Sequence, residues 1–131
     1  MKNDIEIMED FFAIVNNSPI KDLISGSVKM TPRATKSKVE DCIISVLDSD
    51  NAQIQKSIVN INVYVPNITS GGESVGNLKR ISLLSRACWS VLKSGFGNGF
   101  MYKLEKQRSL PVSGKDEHVI NNRIRYKYLN E

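Results

Sequence analysis

The sequence has few of the residues that do chemistry. It holds one histidine, His118, and two cysteines, Cys42 and Cys88, with no CxxC spacing. One imidazole and two separated thiols do not suggest a metal site, which needs several N, S or O ligands at close spacing. No serine or cysteine sits in a recognisable nucleophile elbow, so a Ser-His-Asp or Cys-His arrangement has no starting point. His118, beside the turn "GKDEH", reads as a surface turn residue. The cysteines lie in apolar contexts and read as buried free thiols. No apolar run approaches the roughly 18 residues of a membrane span. The opening "MKNDIEIMEDFF" carries acids where a signal peptide needs a basic and then an apolar region. The expectation is a cytosolic chain with no membrane contact. No internal repeat and no low-complexity segment stands out.

What is present is an ordinary globular composition. The chain has 131 residues, 40% hydrophobic and 24% charged, enough for one domain over 1–131 with a real core. The net charge of +4 is unevenly spread. Residues 1–75 hold 7 Lys/Arg against 10 Asp/Glu, a net of −3, while residues 76–131 hold 11 against 4, a net of +7. Such asymmetry suits an anionic partner, a contact between the acidic surface of one copy and the basic surface of another, or a solvated charged face.

Periodicity predicts the order α-β-β-β-α-β-β. Residues 4–16 form a helix with Ile5, Met8, Phe12 and Val15 at helical spacing, capped by Asn3 or Asp4. A short segment near 19–23 adds a helical turn. Strands follow over 24–30, 39–48 and 54–65, joined by short connections that favour antiparallel neighbours. "PNITSGGESVGN" (66–77) reads as a long loop. A second helix covers 75–93, with Leu78, Ile81, Ser85, Cys88, Trp89 and Leu92 on one stripe, widened by Leu84 and Val91. "SGFGNGF" (94–100) supplies a capping glycine and a turn. Two further strands run over 100–110 and 118–129, with Ser113-Gly114 at the tip between them.

The third strand carries the sharpest pattern. Val59, Ile61, Val63 and Val65 alternate with Asn60, Asn62 and Tyr64. In the last strand, Ile120, Ile124, Tyr126 and Tyr128 face one side and Arg123, Arg125 and Lys127 the other. The fold class is therefore α+β, an antiparallel-rich five-stranded sheet with helices on one face. Its other face carries Asn60, Asn62, Tyr64, Arg123, Arg125 and Lys127 as candidate interface residues. That face is either solvated or a partner surface.

Other motifs have plainer readings. Glu40, Asp41, Asp48 and Asp50 flank a strand, where solubility and turn formation explain them better than Mg²⁺ binding or acid–base work. "SGGESVGN" lacks the lysine of a Walker loop and the GxGxxG spacing, so Ser74 or Asn77 as a helix cap is the better reading. "NNRIRYKY" interleaves basic and aromatic residues, which suits nucleic acid, but strand alternation turns the tyrosines towards the core.

"SGSVKMTPRATKSKVEDCIISVL" followed by "QIQKSIVNINVYVPN" resembles the small tail-completion, or tail-terminator, proteins of long-tailed phages and prophages. The resemblance covers roughly residues 20–95, and the element order of the whole chain agrees with it. It implies a structural, non-enzymatic role with no catalytic, cofactor or metal site. It also implies a homo-oligomeric ring, often hexameric, between tail-tube and head-connector proteins, with DNA passing through the centre. The implied location is the host cytoplasm during assembly and then the virion tail or neck. Two readings from other classes stay open: a nucleic-acid-binding module using Arg123, Arg125 and Lys127, and a small ligand-binding protein or enzyme of the same fold class.

Overall fold

The computed structural model describes residues 1–129, and residues 130 and 131 lie outside it. Helix α1 spans Asp4–Asn16 and starts in a capping box. Asn3 Oδ1 accepts from the Glu6 amide at 2.8 Å, and Glu6 Oε1 accepts from the Asn3 amide at 3.0 Å. Its buried row is Ile7, Phe11 and Val15, flanked by Met8 and Phe12. The expected stripe was out of phase, since Ile5 is 59% exposed. The Phe11 ring decides the phase: it packs 5.4 Å from Tyr102 and 5.7 Å from Tyr126. Helix α2, Pro19–Leu23, starts at a Ser18 cap with proline in its first turn.

The expected strand over 24–30 shortens to β1, Val28–Lys29, and it pairs in parallel with β2, Cys42–Ser49. The connection over 30–41 is long enough to carry the chain back to the same end of the sheet, so the antiparallel expectation fails there. Strand β3, Ile54–Pro66, has the expected alternation, with Val59, Ile61 and Val63 at 0% exposure. The segment expected as a loop over 66–77 holds a hairpin, β4 (Ile68–Ser70) and β5 (Glu73–Val75). Gly71 and Gly72 take φ of 59° and 81° at its tip, the left-handed pair that a tight two-residue turn requires.

Helix α3 spans Leu78–Leu92 and is capped by Asn77, whose Oδ1 accepts from the Arg80 amide at 3.2 Å. It buries Ile81, Leu84, Cys88 and Leu92, whereas Leu78 and Trp89, expected on that stripe, are 74% and 49% exposed. The glycine-rich stretch after it forms a strand, β6 (Ser94–Gly97), which pairs with β7, Phe100–Pro111. Glycine is needed there because a Cβ at Gly95 or Gly97 would run into the Tyr102 or Phe100 ring. Strand β8, Glu117–Leu129, is the last element among the described residues and follows a turn in which Gly114 has φ 74°.

The sheet order is β1-β2-β3-β8-β7-β6, six strands where five were expected. It is mixed, mostly antiparallel and curled. Register shifts at Val46/Asp48 and Leu104/Lys106 add local bends of the kind that curl a sheet. The helices cover one face, where Ile7, Phe11, Ile20, Ile81 and Leu84 join Ile44, Ile61, Val63, Ile124 and Tyr126 in one core. Cys42 and Cys88 are buried and free in it. Burial raises the Cys42 thiol, and raises that of Cys88 to about 11.

Candidate interface on the open sheet face

Strand registry brings most of the expected interface residues together. Asn60 lies opposite Arg123, and Asn62 opposite Asn121. On the other side of β3, Ser45 and Ile43 of β2 pair with Asn60 and Asn62. Asn121, which the sequence reading passed over, ties the row together. Its Nδ2 donates to Asn62 Oδ1 at 2.7 Å and to Asn60 Oδ1 at 3.3 Å. Three half-buried amides thus satisfy one another across two strands and still offer donors and acceptors outward.

Tyr64 stands apart from that row, opposite Val119 near one end of the face. The Arg33 guanidinium lies 4.8 Å from its ring centre. Arg125 and Lys127 lie towards the opposite end. Arg125 Nη2 donates to Glu105 Oε1 at 3.1 Å. Arg123 Nε is shielded from solvent without a hydrogen-bond acceptor, and Glu105 Oε2 lies 3.4 Å from it. The hydrogen bond from Arg125, with the charges of both arginines, outweighs desolvation and holds the Glu105 carboxyl below its ordinary value. Registry also turns Lys56, Lys103, Lys106 and Arg108 to this face, with Asp48 and Glu105 as acidic neighbours. The result is a cationic sheet surface with an amide band across it. Such a surface can hold an anionic or amide-rich partner.

The carboxylates read as strand-flanking solubilisers have another role. Glu40 and Asp41 are 6% and 1% exposed. Arg33 Nε donates to Asp41 Oδ2 at 3.1 Å, and its Nη1 donates to Glu117 Oε2 at 2.7 Å. Arg33 Nη2 donates to the Val39 carbonyl, and Ser37 Oγ donates to Asp41 Oδ2. This cluster pins the 30–41 connection to the start of β8. Glu40 holds Arg80 of α3 through Arg80 Nε at 2.7 Å, and Arg80 also reaches the Leu23 carbonyl. Burial pushes the Glu40 carboxyl up, but hydrogen bonds from Arg80 and the Ser25 amide, with the Arg80 charge, hold it below its ordinary value. Gly26 is forced to be glycine by this site, since a Cβ would meet the Glu40 backbone and the Asp41 carboxylate.

His118, expected in a surface turn, is half-buried within β8, its Nδ1 2.8 Å from Asn67 Oδ1. Among the described residues no group of three or more His, Cys, Asp or Glu side chains is placed to hold a metal ion. Asp48 and Asp50 turn the chain locally, accepting from the Ser49 and Lys56 amides. No helix among the described residues is long and apolar enough to cross a membrane. No protein-family model matches the chain, and no curated protein matches it.

Proposed function

We propose that this chain is a structural subunit of a long-tailed phage or prophage particle, a tail terminator or head–tail joining protein that assembles into a ring on the end of the tail tube. The observation that carries the reading is the open sheet face. Helices cover one side of the sheet, while the other presents the Asn60–Asn62–Asn121 amide row between basic side chains. Amides can be buried against a neighbouring subunit without the desolvation cost of unpaired charges. The likeness of residues 20–95 to tail-completion proteins supplies the particle context. The role is non-enzymatic, with tail-tube and head-connector proteins as partners and DNA passing through the ring. The test is sedimentation over a concentration series, followed by electron microscopy with purified tail tubes. Rings or capped tube ends support the reading, and a monomer that leaves tubes bare contradicts it.

A second reading has its own observation. Lys56, Lys103, Lys106, Arg108, Arg123, Arg125 and Lys127 on one face suit a phosphate backbone. A duplex mobility shift that weakens steeply with salt, together with a monomer in sedimentation, would favour a nucleic-acid-binding module.

A further inference from the structure

The complement of the cationic face lies on the same chain. Because Ile7, Phe11 and Val15 turn inward, α1 presents Asp4, Ile5, Glu6 and Glu9 to solvent. Ile5 is 59% exposed, an aliphatic side chain among carboxylates. Asp4 and Glu9 make no ion pair among the described residues. On the opposite side of the sheet, Ile54, Met101 and Leu129 are 50%, 57% and 55% exposed. Together with Phe100 and Tyr128 they border an open hollow of about 470 Å³ with Lys127 on its rim. Lys103 and Lys127 are exposed and pair with no acid among the described residues.

We propose that α1 of a second copy docks on this end of the open face, with Ile5 entering the hollow and Glu9 meeting Lys103 and Lys127. Asp4 and Glu6 flank the contact and face the same positive field. The spacings agree. Ile5 and Glu9 are one helical turn apart, about 6 Å along the axis. Met101 and Lys103 are two residues apart on one face of β7, about 7 Å. An aliphatic group and a charge are therefore offered at matching intervals on both surfaces. Carboxylates of α1 and lysines of the sheet face that are both without an ion-pair partner within the described residues of the chain complement one another, which favours a second copy as the occupant. The two surfaces lie on opposite sides of one sheet, so the contact is heterologous. It propagates from copy to copy and closes into a ring if the rotation allows. The proposal deepens the ring reading above and rests on it.

Charge exchange tests it. One variant carries Asp4→Lys and Glu9→Lys, and the other Lys103→Glu and Lys127→Glu; all four positions are exposed. Circular dichroism and thermal unfolding check that each folds, with single Glu9→Lys and Lys103→Glu variants replacing a double that does not. Sedimentation is run on each alone and on an equimolar mixture. Each alone should need about ten-fold or more higher concentration to associate than wild type. The mixture should assemble again, because each altered surface then meets its opposite charge. Wild-type behaviour of either variant alone, a mixture that stays dissociated, or a wild type that never associates would overturn the docking. Capping of tail tubes by wild type is read separately. Capped tubes with an unaffected α1 variant would overturn this contact while leaving the ring reading in place. If only the Lys103/Lys127 variant loses function, and the loss is of duplex binding, the occupant is nucleic acid and the proposal fails.

Discussion

Buried charge is where residue-level reasoning from the sequence gave least. Arg33 lies 8 positions from Asp41 but 84 from Glu117, and nothing in their local spacing marks the three as partners. Folding leaves their side chains only 7%, 2% and 8% exposed. Two carboxylates then depend on one guanidinium, whose planar fork serves both. Arg33→Met should cost about 3–5 kcal/mol in urea unfolding, because it leaves both acids buried without their cation. A loss below about 1 kcal/mol, the range of an exposed pair, would mean the cluster is open to water. Glu40 adds a pH dependence. Its folded pKa is depressed from an ordinary 4.5, so its stabilising contribution is present above that pH and is lost as pH falls below it. Glu40→Gln should lower stability at neutral pH and flatten the acid limb of the stability profile. An acid limb as steep as that of wild type would show that other groups set it. Tyr126, by contrast, was legible as core from alternation. Its hydroxyl partner, Asp10 Oδ2 at 2.7 Å, was not, since 116 positions separate them.

Elements were legible where the hydrophobic period was long. Strand β3 keeps its period of two across Ile54–Pro66 and sits in the middle of the sheet between β2 and β8. Val63→Ala should cost about 1–3 kcal/mol through lost burial and the cavity left behind. A neutral effect would contradict its 0% exposure. Glycine-rich stretches hid strands, because turn chemistry and strand pairing use the same residue. Gly95 and Gly97 are strand residues with an aromatic ring where a Cβ would stand, whereas Gly71 and Gly72 turn a hairpin. The β4–β5 strands are exposed at every position and bury no apolar side chain, so hydrogen exchange there should be among the fastest outside the turns. Protection comparable to β3 would contradict that ranking. Gly72→Ala should cost about 1 kcal/mol, since φ of 81° is strained for any residue with a Cβ. The α3 stripe was legible in period and phase, since Ile81, Leu84, Cys88 and Leu92 are its buried row and only its margins, Leu78 and Trp89, are exposed, whereas the α1 stripe was legible in period alone. Ile5 fits a helical repeat, yet packing of Phe11 against Tyr102 and Tyr126 selects the neighbouring row of α1.

For the whole molecule, the division into a covered and an open sheet face was legible from alternation alone. Asn60, Asn62, Arg123, Arg125 and Lys127 do share the open face, and Tyr64 lies at its far end beneath Arg33. Asn121 was missed because its neighbour Asn122, buried on the covered face, breaks the apolar alternation that revealed Asn60 and Asn62. It became visible only once registry set it opposite Asn62. The role of that face in assembly is tested most directly by Asn62→Glu. In an isolated subunit position 62 is half-exposed, and a carboxylate there keeps contact with water and with the Asn121 amide. In a packed contact the same carboxylate loses water without gaining a cation, which is strongly unfavourable. The measurement is sedimentation velocity of wild type and Asn62→Glu over one concentration series, with thermal unfolding as the control for folding. The expected result is a concentration-dependent wild-type oligomer and a folded Asn62→Glu monomer. A clearly oligomeric wild type matched by an equally oligomeric Asn62→Glu would contradict the assignment of the open sheet face as the subunit interface.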